Sequence, residues 1–414
     1  MPPTEGHDWN DHAAEHGTDD VRARLIVAAG TVDLPPTVTL VEGTARLDKL
    51  IGGFFAEAQT WHDLPEEQRP APTAHLVNAT MGLGKSRMAR GYAARLLKRD
   101  QAAVALFAVP LHRLTTEQAA NYKKETGDDA AIWRGMKQPD PERDDGRAMC
   151  LELDLSEAAQ EAGVNVSSVC KVCPSRNTCG YQRQKQQRVR PWYFPHNLLF
   201  HERPKAIPAP SVLLIDEKFH DAGMAENIRL AASTLEADPL DVLHVGDREL
   251  LRELRGMLLE AFKRAAARVV APNKRVRLTR ADLEAVGLTA ERAQDARRIE
   301  WTRKPKLKLS GDVPGMVKAL QAMAHRFTPK VPTLWGLVED LLRGDHDTAT
   351  AIEIEPNAEL KGGDGYGLLV WMHRRLSVHE SWRAPTLLLD GTARPEILRH
   401  WFPDLVRSEE HTSE

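Results

Sequence analysis

Apolar positions along the chain alternate between two periods, and their order predicts a layered α/β architecture. Thr44 to Thr60 carries Leu47, Leu50, Ile51, Phe54 and Phe55 at spacings that give a helix one apolar face. His75-Leu76-Val77 is a short apolar run, and the helix-compatible stretch Arg87 to Leu97 follows it across a glycine-bearing loop. Ala102 to Val109 is a continuous apolar run of strand length that stops at Pro110; Leu111 to Lys124 then reads as helix, and Ala130 to Trp133 as a short strand. Strand alternating with helix is the grammar of a parallel sheet. Ser211 to Asp216 and Thr386 to Leu389 are two further buried-strand patterns, the second followed by a helix-like segment to Trp401. Val21 to Leu40 reads as one or two strands interrupted by Pro35 and Pro36.

Between Asp221 and Arg383 the pattern becomes largely helical. Glu249 to Val270 sets Leu250, Leu251, Leu254, Leu258, Phe262 and Ala266 on one stripe; Ala281 to Trp301, Gly315 to Phe327 and Leu334 to Leu342 are also helical. Ala351 to Glu355 and Tyr366 to Trp371 read as strands joined by the Gly362-Gly363-Asp364-Gly365 turn.

The 414 residues carry a formal net charge of −3, so a polyanionic partner has to be argued from local patches. Three are basic: Arg183 to Arg190 with Tyr181 and Trp192 beside it, Lys274 to Arg280, and Arg297 to Lys308. The first combines cations with aromatics, which suits a phosphate backbone with bases to stack, or simply a solvated face. No apolar run is long enough to span a bilayer and Met1 to Asp20 is polar, so the expectation is a cytoplasmic protein with no membrane partner.

Candidate chemistry concentrates in three places. Ala79-Thr80-Met81-Gly82-Leu83-Gly84-Lys85-Ser86 lies between a strand and a helix, the layout of a phosphate-binding loop. Glycines let backbone N–H groups turn toward phosphate oxygens, the new helix directs its positive end there, Lys85 adds charge on the β/γ-phosphates and Ser86 offers a hydroxyl to Mg²⁺. The nucleotide-contacting set is Thr80, Gly82, Leu83, Gly84, Lys85, Ser86 and Arg87; Ala79 stands where such loops usually carry their first glycine. Downstream, the Ser211 run ends in Asp216-Glu217, a magnesium-holding acid followed by a base for the attacking water. Lys85, Asp216 and Glu217 are the catalytic candidates, with Ser86 and Asp216 on magnesium. All four cysteines, Cys150, Cys170, Cys173 and Cys179, lie in one stretch with a Cys-x-x-Cys pair; zinc or an iron–sulfur cluster would accept that set.

These pieces, in this order, resemble the iron–sulfur-containing superfamily two DNA helicases of the XPD/DinG type, over about Leu76 to Leu405. Met81 to Ser86 is similar to motif I, Val109 to Leu114 to motif Ia, Trp192 to Leu199 to the stretch before motif II, Asp216-Glu217 to the core of the DEAH box, and Asp390-Gly391-Thr392-Ala393 to motif III. The box here reads Asp-Glu-Lys-Phe-His, with His220 one residue late.

The resemblance implies a RecA-like P-loop parallel sheet, the first helicase lobe, at 21–140, 191–221 and 384–406, preceded by a disordered lead-in at 1–20. It implies a cysteine-rich 4Fe-4S insertion, or a zinc one, at 141–190, a largely helical arch-like insertion at 222–383, and a non-native tail at 407–414 resembling translated sequencing adapter. It implies ATP, Mg²⁺ and single-stranded or forked DNA as ligands, and 5′-to-3′ unwinding by a parent whose second lobe this chain lacks. Two other readings stand beside it: a zinc-stapled nucleic-acid-binding module with a degenerate ATPase site, and a P-loop ATPase acting on a protein partner.

Overall fold

The computed structural model describes residues 16, 39–79, 82–224, 228–239, 241–242, 244–269, 274–305, 309–344, 348–359 and 366–409. The strand reading of Val21 to Leu40 falls almost wholly outside them. In chain order the main elements are α1 (Leu40–Asp63), β1 (Ala74–Asn78), α2 (Lys85–Arg99), β2 (Ala105–Val109), α3 (His112–Thr126), β3 (Ala131–Ile132), α4 (Leu153–Glu161) and α5 (Val166–Val172). Then come β4 (Trp192–Pro195), β5 (Val212–Asp216), β6 (Ile228–Ala231), α6 (Val245–Ala266), β7 (Val276–Thr279) and α7 (Ala290–Thr302). The chain continues through α8 (Val313–Arg326), α9 (Lys330–Arg343), β8 (Thr348–Glu359), β9 (Tyr366–Met372), β10 (Thr386–Leu389) and β11 (Val406–Glu409). Among the described residues no helix is long and apolar enough to cross a membrane.

The chain divides into two compact units, Met1–Ala103 with Pro385–Glu414, and Val104–Ala384. In the first unit β11, β1 and β10 are parallel neighbours in that order, with Leu389 opposite Val77 and Val406 opposite His75. Arg407–Glu409, expected outside the fold, are the last residues of β11. Helix α1 starts earlier than its apolar stripe indicates, because Thr39 and Glu42 form a reciprocal capping box. Its Leu47, Ile51, Phe54 and Phe55 are buried, and Phe55 stacks on Tyr92 of α2 with ring centroids 5.5 Å apart.

In the second unit β5, β2, β4 and β3 are parallel neighbours in that order. All seven strands of this kind in the two units pair in parallel, as the strand–helix alternation predicts. Trp192–Pro195, given no strand in the sequence reading, is fully buried between β2 and β3. Trp192 is therefore core, 1 % exposed, and is not available to stack on a base.

The stretch read as a helical arch is helix-rich but is built on a four-stranded antiparallel sheet, β6-β9-β8-β7. Strands β8 and β9 were expected; β6 and β7 were not. Each has only four residues, and β7 hides inside a basic stretch whose Arg277 is exposed while Leu278 is buried. Helices α6, α7 and α9 cover the sheet through Leu251, Leu254, Leu258, Phe262, Ile299, Leu334 and Trp335. The helix read over Ala281 to Trp301 is two, separated by a turn in which Thr289 caps α7.

Under this layer Arg255 and Glu300 pair at 2.6 Å with side chains 3 % and 1 % exposed; Arg303 adds 2.7 Å to Glu300 and 2.8 Å to Asp241. Removing one partner of a buried pair leaves an uncompensated charge. Glu300→Ala is expected to destabilise the protein by about 3–5 kcal/mol. Arg297→Ala, at a half-exposed pair with Glu339, is expected to change stability by under about 1 kcal/mol. Chemical denaturation of both variants measures the contrast.

Candidate functional site

The phosphate-loop residues fall in the first unit. β1 ends at Asn78, Ala79 is buried, and Gly82 and Gly84 adopt φ of 88° and 82°. These left-handed conformations cost an ordinary L-residue about 1–2 kcal/mol. Lys85 opens α2, with Gly84, which has no side chain to offer as a cap, as its N-cap. Such an end is suited to an anion. Gly82, Gly84 and Arg87 are exposed, and Leu83, Lys85 and Ser86 half-buried. Thr80 and Met81 lie outside the described residues.

A second segment meets this loop. Because β10 runs beside β1, residues 390–393 leave the strands next to Ala79. A Cβ on Gly391 would sit 2.6 Å from the Ala79 carbonyl oxygen and 3.5 Å from Lys85 Nζ. Lys85 Nζ donates to that same carbonyl at 2.5 Å, and Asn78 Nδ2 donates to the Ala393 carbonyl at 3.4 Å. Asp390, 6 % exposed, accepts from the Thr392 N–H and hydroxyl on Oδ1 at 2.8 and 2.9 Å.

Asp216 and Glu217 belong to the second unit. Val212 to Ile215 are buried, Asp216 is half-buried and Glu217 exposed, so the acid pair closes a buried strand as expected. Glu217 has φ of 60°, a left-handed conformation for a non-glycine residue, of the kind that clusters at functional sites. Two residues on, Phe219 takes the buried position, stacked on Phe200 and edge-on to His196. His220 heads a short helical turn, with Nε2 3.4 Å from Asp221.

The four cysteines are all free thiols, Cys150 and Cys179 buried, Cys170 and Cys173 half-buried. Cys170 sits in α5, Cys173 caps its end, and Cys179 caps the short helix 180–183. Cys150 donates to Cys179. That bond and burial push the Cys150 thiol up, while the same bond and the N–H groups of Gln182, Leu151 and Tyr181 draw Cys179 down to about 5. As a thiol, Cys179 would instead donate to the Met149 carbonyl, 3.2 Å away. Burial raises Cys170 and Cys173, each of which also feels two or more of the other sulfurs. Backbone N–H groups thus face Cys150, Cys173 and Cys179, but only at Cys179 does the net shift favour the thiolate a soft metal binds, because burial outweighs them at Cys173 and burial with the bond to Cys179 outweighs them at Cys150. Among the described residues no three His, Cys, Asp or Glu side chains are arranged to hold a metal ion. The donor chemistry fits a thiolate-bound metal, while the thiols form a hydrogen-bonded pair with two neighbours and not a closed cage.

Two contacts hold this segment, and neither was read from the sequence. Buried Asp140 takes Arg183 at 2.8 Å on both oxygens, and a Cβ on Gly180 would lie 2.3 Å from Asp140 Oδ2. Leu155, Ala158, Ala159 and Val169 of α4 and α5 pack on Met316, Leu320 and Met323 of α8. Tyr181, expected on a stacking surface, is largely enclosed edge-on to Trp133 under the Lys185 ammonium, and burial pushes its hydroxyl up to about 12. The basic stretches are also largely committed within the chain. Arg275 lies over Trp371 and pairs with Glu353 and Glu355, Arg298 reaches Asp247 and Asp295, and Lys304 donates to the Gly163 carbonyl.

No known family model matches the chain, and no curated protein matches it. Two substitutions probe the geometry directly. Glu217→Gly is expected to raise stability by about 1 kcal/mol, by removing left-handed strain, read as a shift of the denaturation midpoint. Gly180→Ala is expected to lower stability by about 1–3 kcal/mol by overpacking against Asp140, with Asp140→Ala in the same background recovering part of the loss.

Proposed function

We propose that this chain carries the first RecA-like lobe of an ATP-dependent DNA helicase of the XPD/DinG type, coupling ATP hydrolysis to 5′-to-3′ movement on single-stranded DNA. The observation that carries the reading is the entry to α2: two left-handed glycines, the second of them the N-cap, Lys85 at its first position, and the 390–393 loop packed against the same lysine.

In this reading the N–H groups around Gly82, Gly84 and Lys85 bind the phosphates, and Lys85 exchanges the Ala79 carbonyl for the β/γ-oxygens. Ser86 and Asp216 are the residues that would hold magnesium, which, when bound, neutralises charge on those oxygens. Glu217 orients the attacking water and accepts its proton. Cys150, Cys170, Cys173 and Cys179 would hold a 4Fe-4S cluster or a zinc ion, which would supply a cross-link where the segment has short helices, the Asp140–Arg183 pair and the apolar contact with α8.

A groove of about 520 Å³ in the second unit supports a nucleic-acid partner. It is lined by Lys171, Lys185, Arg203 and Lys205 with Trp133 and Tyr181. Arg203 is held on the Ser381 carbonyl, and Lys171 and Lys205 are exposed.

ATPase assays with and without single-stranded DNA, in protein carrying both helicase lobes, test the reading. Stimulated hydrolysis is expected to be lost in Lys85→Ala and in Glu217→Gln; robust turnover by the Glu217→Gln protein argues against it. The Lys171→Glu, Lys205→Glu double variant is expected to weaken oligothymidine binding at least about tenfold and to flatten its salt dependence by about 0.7 per lost phosphate contact. Anaerobic purification decides the metal: brown protein with iron and acid-labile sulfide supports the cluster, colourless protein with one zinc supports zinc.

A further inference from the structure

The 390–393 loop carries one group that the phosphate-loop reading does not use. Asp390 is 6 % exposed and stands at the carboxyl end of β10. Its Oδ1 is taken by Thr392, but Oδ2 is buried and has no hydrogen-bond partner among the described residues. A buried carboxylate oxygen without a donor is unfavourable, and such groups mark places where a ligand completes the hydrogen bonding. The next residue, Gly391, comes closer to the Ala79 carbonyl than any side chain would allow, and a Cβ there would lie within ordinary contact of Lys85 Nζ. The carboxylate is therefore one residue away from the lysine that marks the β/γ end of a bound triphosphate.

What can occupy Oδ2 is limited by chemistry. A carboxylate only accepts, and so do phosphate oxygens, so direct contact with the γ-phosphate would set two anions together. The ribose hydroxyls are donors, but they belong to the opposite end of the nucleotide. Magnesium bound through phosphates usually keeps several of its waters, and each is a strong donor polarised by the cation. The geometry points to Asp390 as the acceptor for a water of the magnesium ion that travels with the triphosphate. It binds the metal–nucleotide complex and not the bare nucleotide, and this holds only if the phosphate-loop reading above is right.

The test is a pair of equilibrium titrations of the full 414-residue chain with a fluorescent N-methylanthraniloyl ATP, one arm in excess Mg²⁺ and one in EDTA. Asp390→Asn is expected to lose about tenfold of the affinity that Mg²⁺ adds, with the EDTA arm unchanged. Thr392 can still be capped by the amide oxygen, and an unshifted melting temperature confirms the fold. If that variant does not fold, Asp390→Ser keeps a cap on Thr392 without the charge, and the same loss is expected. An unchanged magnesium gain, or tighter binding in both arms, overturns the inference and leaves the phosphate-loop reading standing, provided Lys85→Ala loses binding in both. Absence of saturable binding by the unmodified chain overturns both.

Discussion

Around the loop between β1 and α2, backbone meets backbone at a distance that excludes any side chain. Gly391 faces the Ala79 carbonyl, and Lys85 reaches back to that same oxygen. With β10 beside β1 and Leu389 opposite Val77, the segment after β10 passes next to Ala79. The usual first glycine of such loops is replaced by Ala79, whose side chain is buried while its carbonyl remains the point of contact. The departure therefore falls at a buried position. Asp390 then fastens the crossing segment by capping Thr392.

The cysteine segment is held by a different kind of force. Its helices are short, and α4 and α5 gain their apolar cover from α8, well over a hundred residues downstream. Polar clamps supply the rest: Asp140 with Arg183, and Gln184 exchanging hydrogen bonds with the backbone of Arg134 on both sides. Small segments with little core of their own commonly need such staples or a metal. The N–H groups that face Cys150, Cys173 and Cys179 act in the same segment, and at Cys179 they help hold the sulfur as a thiolate.

Elements with a strong local signature were legible in the sequence. The glycine-bearing turn before Lys85, the buried run before Asp216 and the stripe through Leu251, Leu254 and Leu258 each declare themselves within a short window. Strands β4, β6 and β7 did not, for two physical reasons. Trp192–Pro195 contains a proline and follows a basic stretch, so its burial depends on neighbours that sequence does not place beside it. Ile228–Ala231 and Val276–Thr279 alternate apolar with charged residues over only four positions, and they are strands because β9 and β8 lie alongside. Basic runs were less legible for the related reason that charge reads as surface: Arg303 pairs with buried Glu300 inside the second unit, and Arg275 is stacked on Trp371. Asp140 and Gly180 gave no signal at all, since their relation exists only in three dimensions.

The cover that α8 gives the cysteine segment has a consequence in time. A ribosome that has finished Cys179 has still to make the chain through Arg326 before Met316, Leu320 and Met323 exist to close over Leu155 and Ala159. At about 5–20 residues per second that interval is on the order of ten seconds or more. During it Leu155, Ala159 and Val169 lack the apolar cover of α8, so the cysteine segment completes its packing only after the downstream helix is made.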